Sequence, residues 1–342
     1  MADYININGN NIPIRASDPS NPIVGEVWYN LTTNALKGQA LSTVGTFASA
    51  PSLPVVRAGG MFSVGSTQDA VLSVGSNPAG PPPDYTNRTD VYNGTAWTAG
   101  NNIIQPARNS VSSGGASTAA AKMCGGYSGP TPTENVVEDY DGTCFSTAPV
   151  MPKGTEAAAG FGTQTAMVVC SGGSIAPFVP PGAPQQTDEW DGATWTTSNP
   201  LGRHAQGGAS SGSLTAGLFS GGSTNYPGTI NVDLSSSYDG TSWTTNNTMN
   251  TAKSYQAPSL SGTQTASVIF GGSTPSATNQ TEIYDGTCWS NTTTLPSARY
   301  AAGGAGTASA SLISGGYAPS AISTVDEWIG PGSPVTQTIS SS

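Results

Sequence analysis

Charge is what this 342-residue sequence has least of. Only 9% of its residues are Asp, Glu, Lys or Arg, against about a quarter in ordinary soluble domains. Ten Lys and Arg stand against twenty Asp and Glu, for a formal net charge of −10. That balance repels phosphate backbones and anionic lipid and argues against nucleic acid as a partner. No stretch approaches the run of about 18 apolar residues that would read as a membrane-spanning helix. There is one histidine, His204, and the four cysteines (124, 144, 170 and 288) form no C-x-x-C pair. Free thiols filling space are the expectation; a disulfide or metal site is the alternative.

What is abundant is glycine (44) and proline (26), with Ser, Thr and Asn filling much of the rest. Such chains are either disordered or built from many short strands and turns. Seven Trp, twelve Tyr and regularly spaced apolar runs favour strands.

Those runs repeat. "TEIYDGTCWSNT" (281–292) has close copies in "TDVYNGTAWTAG" (89–100), "VEDYDGTCFSTA" (137–148), "TDEWDGATWTTS" (187–198) and "SSSYDGTSWTTN" (235–246), and a faded one in "TVDEWIGPG" (324–332). Asp-Gly or Asn-Gly between apolar runs is a strong hairpin signal, because such turns need positive φ. Ahead of each copy lies an apolar run that in most copies ends in paired glycines, as in "KMCGGY" (122–127) and "VIFGGS" (268–273). One repeat is therefore four short strands, and a period in the 40s marks a repeat architecture. Arg57, Arg108, Lys153, Arg203, Lys253 and Arg299 each open a unit and are expected to share one structural slot, in salt bridges to third-strand acids.

Four-stranded sheets repeated radially make a β-propeller. The order of an apolar strand ending in Gly-Gly, then Tyr-Asp, then a spaced Trp, then Arg resembles the kelch repeat. The predicted fold is all-β: a six-bladed kelch-like propeller of four-stranded antiparallel blades, with seven blades as the alternative. Tyr92, Trp97, Tyr140, Phe145, Trp190, Trp195, Tyr238, Trp243, Tyr284, Trp289 and Trp328 are the structural aromatics, expected to fill the wedges between sheets. The last hairpin lacks an aromatic outer strand, whereas the N-terminal piece has one, with Phe47 ten residues before Arg57 as Trp289 is before Arg299. A strand near 43–50 should therefore complete the last blade. The repeat units run about 57–100, 107–147, 155–197, 202–245, 252–290 and 298–332, within a propeller over 23–332. Residues 1–22 read as an arm and 333–342 as a tail.

No catalytic constellation emerges. A copper oxidase with kelch repeats would need two His ligands, and only His204 is present. The sialidase-type Asp box differs in spacing, since Gly follows Asp directly in "SSYDGTSW". Glu138-Asp139, Asp188-Glu189 and Asp326-Glu327 have the makings of glycosidase carboxylates, but they recur by position, as structural residues do. The expectation is a protein that is not an enzyme, with no catalytic residue, metal or cofactor.

The 1–2 and 3–4 turns repeat closely; the loops between second and third strands do not. Variable loops on a rigid scaffold are where recognition is expected. Tyr85, Asn87, Tyr127, Phe178, Gln185, Asn225, Tyr226 and Tyr317 lie in or beside them. Aromatic faces next to amides suit sugars; the alternative is that they pack the loops onto their own sheets.

The segment "GEVWYNLTTNALKG" (25–38) is similar to one found in tail-fibre and other virion proteins of tailed phages. Combined with the repeats, it resembles kelch-like structural proteins of phages infecting marine bacteria, cyanobacteria especially. The resemblance implies a virion protein, assembled in the host cytoplasm and acting outside the cell, which fits a start (1–22) without the basic front and apolar centre of a signal peptide. It implies a tail or capsid display role, with other virion proteins bound through the arm. A host-surface glycan is a further expected partner; nucleic acid and membrane insertion are not, and homo-oligomerisation is left open. The alternatives are a surface carbohydrate-binding adhesin and, third, a polysaccharide-degrading propeller enzyme.

Overall fold

The repeated phrase folds as its turn chemistry requires. In the computed structural model, Tyr92 pairs across the hairpin with Trp97, Tyr140 with Phe145, Trp190 with Trp195, Tyr238 with Trp243 and Tyr284 with Trp289. Their ring centroids lie 5.0, 4.7, 5.4, 4.8 and 5.0 Å apart, within the range of favourable aromatic pairs. Each turn is held by its first residue. Asp285 Oδ1 accepts from Thr287 N and Cys288 N at 2.8 Å, and Asn93, Asp141, Asp191 and Asp239 do the same in their turns. The structure describes residues 12–42, 44–58, 62–75, 77–78, 86–106, 111–112, 118–128, 134–173, 186–224, 230–332 and 334–339.

Among the described residues seven four-stranded sheets result, together with a two-stranded pairing of Arg57–Ala58 and Asn77–Pro78. The expected six is corrected to seven. Six sheets follow the repeats: sheet one (62–99), two (111–148), three (159–198), four (209–245), five (257–291) and six (303–329, with Thr46–Ala50 as its fourth strand). The seventh, the terminal sheet, is ordered Ile14–Arg15, Val27–Asn30, Ala35–Leu41, Pro334–Thr338, with its first pair parallel. The two ends of the chain thus share one sheet, outside the six that follow the repeats.

The chain divides into two compact units, one of 47–328 and one of residues 1–46 with 329–342. In the smaller, Trp28 is fully buried, and its Nε1 and Asn30 Nδ2 both donate to Asp18 Oδ1, at 2.8 and 2.6 Å. These bonds hold the Asp18 carboxyl below its ordinary pKa.

In the larger unit the core lies between consecutive sheets. Phe161, Val168 and Cys170 of sheet three pack with Phe219 and Tyr238 of sheet four. Leu218 of sheet four packs with Ile269, Tyr284 and Trp289 of sheet five. Val71 and Tyr92 of sheet one pack with Ala305, Leu312 and Val325 of sheet six. Phe47 supplies the aromatic that the last hairpin lacks, with its ring 4.9 Å from Trp328. Leu53 N donates to Ser323 O at 2.8 Å and Trp97 Nε1 to Pro51 O at 2.8 Å, so the start of this unit is bonded to its last sheet as well as its first. Sheets that each pack on the next, with the last returning to the first, are an arrangement consistent with a β-propeller.

Cys124 and Cys170 are buried free thiols, and Cys144 and Cys288 are exposed ones in the hairpin turns.

Candidate functional site

The end of the second strand builds the face on which the variable loops sit. Two consecutive residues there take positive φ: +59 and +110 at Gly271 and Gly272, +66 and +97 at Gly221 and Gly222. The conformation turns the chain so that the second amide reaches the next repeat. Gly272 N donates to Arg299 O (2.9 Å), Gly222 N to Lys253 O (2.9 Å), Gly172 N to Ala205 O (3.0 Å), Gly126 N to Thr155 O (2.8 Å) and Gly316 N to Arg57 O (2.8 Å). A β-carbon on Gly271 would stand 2.3 Å from Arg299 O, and one on Gly221 2.6 Å from Lys253 O. The close approach, as much as the φ angle, demands glycine.

These bonds define the unit-opening slot, and they correct the expectation that six cations share it. Among the described residues the slot holds Arg57, Thr155, Ala205, Lys253 and Arg299; Lys153 and Arg203 lie two positions earlier, and Arg108 falls outside the described residues. Where the slot is basic, the second residue of the third strand is acidic and the pair is buried: Arg57 with Asp90, Lys253 with Glu282 (3.1 Å) and Arg299 with Asp326. Burial pulls Arg57 down to about 10 despite the neighbouring Asp90 carboxylate. In sheet four both partners are gone, replaced by Ala205 and Ser236. There Arg203, also lowered to about 10 by burial, places its guanidinium 5.9 Å from the Phe219 ring, and Phe219 is the cross-strand neighbour of Ser236. An aromatic face is thus the contact that the guanidinium makes here.

The acidic pairs are engaged in the framework. Glu138 accepts from Ile104 N and Gln105 N at 2.8 and 2.9 Å, and Asp139 pairs with the buried Lys122 at 2.6 Å. Asp188 accepts from Gln186 and Thr197, and burial raises its pKa. Glu189 accepts from Tyr238 Oη of the next sheet, and Glu327 from Tyr92 Oη at 3.1 Å. His204 Nδ1 is buried without a hydrogen-bond partner. Among the described residues no group of three or more His, Cys, Asp or Glu could hold a metal ion, and no helix is long and apolar enough to cross a membrane.

Of the eight loop positions singled out in the sequence, Tyr85, Phe178, Gln185, Asn225 and Tyr226 lie outside the described residues. Asn87 accepts from Asn102 Nδ2 at 3.4 Å and, through its carbonyl, from Ile103 N. Tyr127 is half-buried, immediately after Gly126. Tyr317, in the matching place after Gly316, stacks on Tyr300 of its own sheet, with centroids 5.4 Å apart and planes 30° from parallel.

Nearer the inner strands, sequence reading passed over a second feature. Ala157, Gly207, Tyr255 and Ala301 all take left-handed φ (+49, +65, +52 and +51) and form a chain of backbone bonds across sheets three to six. Gly207 N donates to Ala157 O (2.8 Å), Tyr255 N to Gly207 O (2.6 Å) and Ala301 N to Tyr255 O (2.8 Å). The small residues at three of the four positions were the available signal. Tyr255 is the exception.

Set against known protein families and curated proteins, the chain matches none of them.

Proposed function

We propose that the chain is a non-enzymatic virion structural protein of a tailed phage, in which the sheets of 47–328 act as a kelch-like propeller. The loop-bearing face of that unit is its recognition surface, for host-surface glycans. The smaller unit is the virion-docking module.

One observation carries this reading. Among the described residues eleven large apolar side chains are exposed, and seven of them (Ile14, Ile23, Val24, Leu31, Leu41, Val44 and Ile339) belong to the smaller unit. Ile14 and Ile23 are 68% and 70% exposed. Such a concentration in so small a unit is what an attachment module presents before assembly. The larger unit differs: three of its ion pairs are buried on both sides, which suits a rigid platform. The resemblance of "GEVWYNLTTNALKG" to virion proteins supports the docking role, since that segment forms two strands of the terminal sheet.

Mass spectrometry of purified virions tests the reading. The expected result is the intact chain at stoichiometric copy number; its absence from infectious particles would overturn it. Turnover of host polysaccharide by the purified chain would replace it with the enzymatic alternative.

A further inference from the structure

Five hairpin turns among the described residues are built alike, and one of them opens on a different side chain. Asp141, Asp191, Asp239 and Asp285 each precede a glycine and accept two backbone amides on Oδ1, at 2.7 or 2.8 Å. In sheet one the residues are Asn93 and Gly94. Asn93 Oδ1 accepts from Thr95 N (3.0 Å), Ala96 N (2.9 Å) and Thr95 Oγ1 (2.9 Å). Gly94, at φ +88, matches Gly142, Gly192, Gly240 and Gly286, at +95, +98, +92 and +93. The backbone is therefore the same whether the opening side chain is an amide or a carboxylate.

An asparagine followed by glycine is open to attack by its own backbone, because glycine has no side chain to hinder its nitrogen. Gly94 N can bond to Asn93 Cγ; the Cγ–Nδ2 bond then breaks, and the Gly94 amide proton leaves with that nitrogen as ammonia. Water opens the resulting cyclic imide. Attack at Cγ breaks the new N–Cγ bond and yields aspartate. Attack at the backbone carbon breaks the original peptide bond and yields isoaspartate, with the main chain rerouted through the side chain. Both reactions at Cγ pass through a tetrahedral carbon whose negative charge sits on Oδ1, where three donors already point. Asn93 is exposed, so water reaches it.

We propose that Asn93 is a modification site at which the folded protein converts itself to aspartate, the turn selecting aspartate over isoaspartate. This goes beyond the recognition and docking roles and rests on neither. The fold already holds the product in four other turns, where backbone amides keep the carboxyls below their ordinary range. Isoaspartate would instead lengthen by one carbon the main chain of a turn whose ends, Tyr92 and Trp97, are paired strand residues. The conversion adds one negative charge and no bulk.

The test is peptide mapping of the full chain by mass spectrometry after incubation at neutral pH, with electron-transfer fragmentation to tell aspartate from isoaspartate. Aspartate at 93 should accumulate as the main product from the folded chain, and isoaspartate from the same chain unfolded in urea. Thr95→Val removes one of the three donors and should slow conversion in the folded chain about fivefold. Asn93→Asp, made directly, should melt within about 2 °C of the parent. An Asn93 that persists in the folded chain, the same product ratio in both states, an undiminished rate in folded Thr95→Val, or a Tm drop of many degrees in Asn93→Asp would each overturn the proposal.

Discussion

Tyr92 donates its hydroxyl to the Glu327 carboxylate at 3.1 Å, across 235 positions of sequence. Burial and that carboxylate push the phenol up to about 12. The contact joins the third strand of sheet one to that of sheet six, and Tyr238 makes the same bond to Glu189 between sheets four and three. Tyr92→Phe should therefore cost about 1 kcal/mol in equilibrium unfolding, with near-parental spectra. A cost near zero would show the bond to be solvent-replaceable.

Phe47 is the aromatic of a strand that the repeats themselves do not supply. Its ring meets both Trp328 and Phe270, at 4.9 and 5.9 Å. Phe47→Ala is expected to destabilise the larger unit by about 3–5 kcal/mol, measured by denaturant unfolding followed through tryptophan fluorescence.

Arg299 and Asp326 are buried together. Removing one charge strands the other, so Asp326→Asn should cost about 3–5 kcal/mol, whereas the double variant Arg299→Met/Asp326→Leu should recover most of it. A double-mutant cycle checks this. Sheet four already shows that the pair is dispensable when both partners go, in Ala205 and Ser236.

Gly271→Ala puts a β-carbon 2.3 Å from Arg299 O at φ +59. A loss of about 2 kcal/mol or more is expected, against little change for the same substitution at Gly202, where nothing lies within 4 Å and the φ of +75 alone is at issue. Comparing the two melting curves separates crowding from torsion.

The turn aspartates set the acid limit. Asp141, Asp191, Asp239 and Asp285 are held below the ordinary 3.8 by backbone amides of their own turns. A depressed folded-state value means stability that is complete above the unfolded value and is lost as pH falls through the folded one. Melting temperature should decline below about pH 4, and a variant with Asn at all four positions, as at Asn93, should decline less. Identical pH profiles would refute the assignment.

Much of the larger unit was legible because its signals are local. Tyr284 faces Trp289 across a tight turn that Asp285-Gly286 announces, and the missing aromatic after Trp328 pointed to Phe47. The terminal sheet was not legible. Its strands Ala35–Leu41 and Pro334–Thr338 pair across nearly the whole chain, and neither repeats anything that would reveal the match. The cation slot misled for a different reason. Gly154-Thr155 and His204-Ala205 set the slot two residues after Lys153 and Arg203, and no change in residue type marks the offset. Tyr255 went unnoticed because its distinction is a backbone angle.

The proposed docking role can be probed at the smaller unit. Replacing Ile14, Ile23 and Leu31 with Thr should leave the unfolding of the larger unit unchanged and reduce incorporation into particles at least about tenfold, scored by immunoblot of purified virions. Undiminished incorporation would place attachment elsewhere.

The strand Thr46–Ala50 belongs to the same sheet as Val325–Ile329, and the boundaries of the larger unit fall within these two strands. Entry and exit of a body of nearly three hundred residues are therefore side by side. Any fold that can offer two neighbouring chain ends could carry it as a single insert.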